Sequence, residues 1–163
     1  MPPHKIFLIL FLSLFIARFA LERILAALNL RHVLARRHQI PETLKEMVSM
    51  EHYERSVDYT QAQTRFGQVE AVLSAALTLV FLFSGFIPWL NAQFQALNPG
   101  ELTQGVALIL AFTLISAFLF LPTEMYEIFI IESRFGFNQT TAGTFWLDKL
   151  KALLLALVIG IPF

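Results

Sequence analysis

The segment PTEMYEIFIIESRFGFNQTTAGTFWLDKLK, residues 122–151, decides how this chain is read. It lies between two apolar runs. Tyr126, Phe129 and Ile130 recur at helical spacing, so an apolar helix carries on past Pro122 and ends in the charged cluster of Glu132 and Arg134. Gly136 offers the permissive backbone that a tight turn needs, and Asn138, Thr140 and Thr141 have short polar side chains that can accept from the orphan N–H groups of a helix start. From Ala142 the period is helical again, with Trp146, Leu147 and Leu150 on one side and Asp148, Lys149 and Lys151 interrupting the apolar character. The segment therefore reads as a structural junction between two helices, with Glu132, Asn138, Thr140, Thr141, Asp148 and Lys151 as its capping and pairing residues.

Composition extends this local reading to the whole chain. An apolar fraction of 56%, only 15% charged residues and a mean hydropathy of +0.64 are unlike a soluble domain of 163 residues. The expected fold class is all-α, a polytopic helical bundle in the lipid bilayer. Twelve Lys and Arg balance twelve Asp and Glu, so no net field argues for nucleic acid or for an acidic partner. Without a cysteine, neither a disulfide framework nor a thiolate metal site is available.

Working outward to the N-terminus, Lys5 and the apolar run after it resemble the start of a signal peptide. Apolar helical periodicity continues past Arg18, Glu22 and Arg23 to Leu30, however, and Phe15-Ile16-Ala17 is a poor cleavage site, so an uncleaved first span over residues 5–30 is preferred. A helix of that length covers about 39 Å against a hydrocarbon core of about 30 Å, which lets its charged last third emerge. Residues 31–68 form the one long polar connection. Pro41-Glu42 suggests a helix start there, with Leu44, Met47 and Val48 as a short apolar face, and a second helix from Glu51 can run uninterrupted into the bilayer. Two further spans are expected over about 69–90, with Trp89 at its exit, and over about 104–131, kinked at Pro122. The turn Asn98-Pro99-Gly100 separates them. A partial fourth span, residues 152–163, is shorter than the bilayer is thick, which suggests a truncated product or a single N-terminal membrane domain, 1–163, cut from something longer.

Basic residues set the expected orientation. Arg31, Arg36, Arg37, Lys45, Arg55 and Arg65 lie in 31–68, and Arg134, Lys149 and Lys151 in the motif loop 132–151, against Lys5 alone before the first span and none in 91–103. The positive-inside rule puts both basic connections in the cytoplasm and the N-terminus outside or in a lumen.

Candidates for chemistry are few. None of His4, His32, His38 and His52 is followed by Glu or stands four residues from another, so the helical pair of histidines that grips a catalytic zinc is missing. Arg18 with Glu22, and Glu124 with Glu127, share helix faces at spacings of four and three. These four can line an aqueous chamber between helices, or they can be interfacial charges reaching out from helix ends.

Taken together, Pro122, Tyr126, Phe129, Ile131-Glu132, FGFN at 135–138, Thr140-Thr141, Asp148 and Lys151 resemble the type I CAAX prenyl protease family, with Gln139 standing where that family has a basic residue. LNLRH at 28–32, Pro41, Tyr53, Tyr59 and Arg65-Phe66 resemble the same family's first cytoplasmic connection. The resemblance implies an integral-membrane zinc metallopeptidase acting on prenylated C-terminal peptides, of which this chain would be the N-terminal membrane domain. It implies zinc in the complete protein, no metal or catalytic residue in this chain, and a C-terminal catalytic part as partner. Alternatives are a free-standing small membrane protein with an assembly or interaction role, and a piece of a transporter.

Overall fold

The computed structural model describes residues 2–98 and 100–160; Pro99 of the expected turn and residues 161–163 of the expected fourth run lie outside the described residues. The fold is all-helical, with no strand among the described residues. It divides into two compact units, Met1–Ala75 and Ala76–Phe163.

In the first unit, α1 (Pro3–Ala35) starts with proline at the one place in a helix where a missing N–H costs nothing. It runs beyond the expected end at Leu30, because Arg31 and His32 are adequate helix formers and no breaker intervenes. The apolar face expected at residues 44, 47 and 48 does not form a helix. Only Glu42–Leu44 makes a single 3-10 turn, and Met47 is 81% exposed; so short a segment has no buried face to stabilise it. Ser49 then caps α2 (Met50–Phe83), its hydroxyl accepting from the His52 N–H at 3.3 Å.

Helices α1 and α2 run antiparallel. Arg23 Nη1 donates to the Gly67 carbonyl at 3.3 Å, Arg37 makes a two-pronged pair with Asp58 at 2.8 and 2.9 Å, and His38 Nδ1 meets Glu54 at 2.7 Å. As the numbers rise along α1 they fall along α2. Among the described residues Val57 is the buried apolar residue of this hairpin, and the faces of α1 stay largely exposed.

The expected span over about 69–90 is not one continuous helix. The helix stops at Phe83, and α3 (Phe86–Gln95) begins after a break at Ser84-Gly85. Gly85 has φ +78°, a left-handed conformation that costs a side-chain-bearing residue energy, and the Ser84 hydroxyl takes up the freed N–H of Phe86 at 3.2 Å. Apolar character continues through the break. Only the backbone changes.

Next, α4 (Glu101–Tyr126) packs along α3, and Phe112 meets Phe81 edge-on with ring centroids 5.1 Å apart. Pro122 lies inside α4, and the departure from α-helical geometry comes later, in a π-helical turn at Glu127–Glu132. One last helical turn, α5 (Ser133–Phe135), closes this rod, which from Glu101 to Phe135 is long and apolar enough to cross a membrane, as is Met50–Phe83. A reversal follows, and α6 (Ala142–Gly160) returns against α4.

Candidate functional site

The reversal between α5 and α6 is built from local hydrogen bonds. Gly136, at φ +78°, donates to the Ser133 carbonyl at 3.2 Å, and Phe137 donates back to the Glu132 carbonyl at 2.9 Å. This is a Schellman motif with glycine in the left-handed position, which satisfies carbonyls that a helix end leaves open. FGFN is therefore a helix stop.

Asn138 holds the chain after the stop from both ends of its amide. Its Nδ2 donates to Ser133 Oγ at 2.9 Å, and its Oδ1 accepts from the Thr140 N–H at 2.6 Å. The Ser133 hydroxyl in turn donates to the Ile128 carbonyl in the π-helical turn at 3.3 Å. Thr141 then opens α6 with a reciprocal cap: its Oγ1 accepts from the Thr144 N–H at 3.1 Å, while Thr144 Oγ1 accepts from the Thr141 N–H at 2.9 Å. This is a capping box with threonine in the position usual for Glu or Gln.

Glu132 contributes through its backbone carbonyl. Asp148 and Lys151, read as junction residues, pair with each other at 3.0 Å on the exposed face of α6, three residues apart, and do not bridge helices. The tertiary contact comes from Lys149, which the sequence reading passed over. Its Nζ lies 2.6 and 2.5 Å from the two carboxylate oxygens of Glu124 on α4 and 5.3 Å from the ring centre of Phe145. Phe145 itself is 3% exposed, edge-on to Phe129 of the π-helical turn at 5.5 Å.

Of the candidate chamber residues, Arg18 and Glu22 pair with each other along α1 at 2.8 Å, with the arginine side chain 79% exposed. Glu124 is engaged by Lys149, and Glu127 stands half-buried at the start of the π-helical turn. Among the described residues no three His, Cys, Asp or Glu side chains gather as a metal-holding group, and the residues present do not fit a zinc ion. What the arrangement can do is positional: it fixes where one long helix ends and at what angle the next returns.

Substituting Gly136 by alanine is expected to destabilise the protein by about 1–2 kcal/mol, because a Cβ disfavours the left-handed conformation although no neighbouring atom stands within 4 Å of it. An Asn at 136, which tolerates that conformation, should recover much of the loss. Thermal unfolding in lipid nanodiscs reads both; equal melting of wild type and Gly136→Ala would remove the helix-stop role.

Residues 29–163 match the family described as CAAX prenyl protease N-terminal, five membrane helices. Among curated proteins the chain is 32% identical over 131 residues to the CAAX prenyl protease 1 homolog of Homo sapiens, covering 76% of this chain and 27% of that protein. It is 29% identical over 130 residues to the Arabidopsis thaliana homolog, covering 76% of this chain and 31% of that one. The crystal structure of S. mikatae Ste24p superposes with a TM-score of 0.80 at 25% identity, over 92% of this chain and 36% of that chain. The chain thus spans about a third of the length of the relatives it matches. With the match running through both the polar connection and the helix-stop junction, this chain belongs to the CAAX prenyl protease N-terminal domain family.

Proposed function

We propose that this chain supplies the membrane helices that position a lipidated C-terminal peptide and wall off a chamber for a zinc metallopeptidase whose metal ligands lie outside it. The observation that carries the reading is the family match over 29–163 through a junction whose side chains hold geometry and whose donor set does not suit a metal. Within the second unit Glu127 is the candidate polar lining residue and Glu124 holds α6 in place through Lys149; on α1 of the first unit the candidates are Arg18 and Glu22. A zinc in the complete protein would polarise the scissile carbonyl and activate water; the residues here bind, orient and exclude. The purified chain should carry no stoichiometric zinc and cleave no prenylated CAAX peptide, and adding the C-terminal part in trans should restore cleavage. Stoichiometric zinc together with cleavage by this chain alone would end the proposal.

Orientation belongs to the same reading, with the connection 31–68 and the loop 132–151 cytoplasmic and the N-terminus outside or lumenal. Because Ser49 is a helix cap, a single cysteine is better placed at the exposed Met47, with a second variant at Asn98. An impermeant thiol reagent should label the two from opposite sides of sealed vesicles. Labelling of both from the same side would end this topology.

A further inference from the structure

The tip between α3 and α4 is apolar where an ordinary connection would be polar. Leu97 is 74% exposed, Leu102 66% and Trp89 56%. Glu101 is the one formal charge between Ser84 and Gln104.

The tip is also well made. The chain continues to turn after α3, with Ala96, Leu97 and Asn98 donating to the carbonyls of Ala92, Phe94 and Gln95 at 3.0–3.1 Å, and Gln104 Nε2 donates to Asn91 Oδ1 at 2.8 Å across the two helices. The backbone N–H groups that follow α3 and the Gln104 and Asn91 side chains thus find partners within the chain, and Leu97 and Leu102 are exposed. A segment that must meet water has no reason to do this.

We infer that Trp89, Leu97 and Leu102 form an anchor inserted at the boundary between headgroups and acyl chains of the leaflet on that side. Two arguments commit the surface to lipid. It continues directly from two helices long and apolar enough to cross a membrane, so its depth is set by them. Its charge is one carboxylate and no cation, which favours a zwitterionic surface such as phosphatidylcholine over anionic headgroups. Indole at that depth is a recognised preference of tryptophan. The break at Ser84-Gly85 separates α3 from α2, and on α3 Trp89 is exposed while Phe86 packs against Phe81 with ring centroids 5.3 Å apart.

The chain has no native cysteine, so Leu97→Cys can carry an environment-sensitive fluorophore in the full chain reconstituted in phosphatidylcholine vesicles, with Met47→Cys as the reference. Leu97→Cys should emit in the apolar range, lose most of its emission in vesicles of acyl-brominated phosphatidylcholine, resist aqueous iodide and show no salt dependence. In a Trp146→Phe background, Trp89 should likewise be quenched by the brominated lipid. Water-like emission from position 97 overturns the anchor. So does apolar emission that brominated lipid leaves unquenched, which would assign the surface to protein, a second copy included.

Discussion

Phe145→Ala is expected to be the most damaging single change in the chain, lowering stability by about 3 kcal/mol. The ring is 3% exposed, and removing it takes away the edge-on contacts with Phe129 and Trp146, both at 5.5 Å, and the face that Lys149 approaches at 5.3 Å. In lipid the transfer part of the cost shrinks, because acyl chains are as apolar as the protein interior, and the loss of packing dominates. Leu147→Ala, on an exposed position two residues on, should stay within about 0.5 kcal/mol of wild type. Thermal unfolding in nanodiscs compares them. Coincident melting of the two variants would mean that Phe145 is not the pivot on which α6 packs.

Glu124→Gln is expected to cost about 2 kcal/mol, the range for a hydrogen bond to a charged group. In the structure the pair is partly exposed, at 38% for Lys149 and 40% for Glu124, and in water such a pair is screened to a small net contribution. Both partners sit on helices that continue into apolar runs, where lipid gives less screening, and the unpaired ammonium becomes the larger liability. The sharper test is the apolar pair Glu124→Leu with Lys149→Met. If the loss comes from stranding one charge, the double replacement should recover most of the stability, since removing both charges leaves nothing unpaired. A double variant as unstable as the single would show that the contact contributes geometry beyond charge balance.

The residues that stop one helix at Gly136 and start the next at Ala142 lie within a dozen positions of one another, and their chemistry is readable without coordinates. A left-handed glycine, an Asx turn and a threonine cap depend only on neighbours along the chain. Thr144 carried the same kind of signal, three residues after Thr141, and a stricter reading of capping boxes would have found it. The all-helical membrane class was equally legible, because hydrocarbon leaves unbroken apolar runs no alternative to helices. Hydropathy is blind to backbone conformation, however, so the run over 69–90 concealed the break at Ser84-Gly85. Spacing on one helix put Glu127 beside Glu124 and assigned no partner to Asp148. The contact that joins α4 to α6 spans 25 residues, from Glu124 to Lys149, and depends on the direction in which α6 returns. Local sequence therefore determined how the junction stops one helix at Gly136 and starts the next at Ala142; only tertiary structure decided which charge meets which between α4 and α6, because a pairing across two helices is set by their packing and leaves no periodic trace in either.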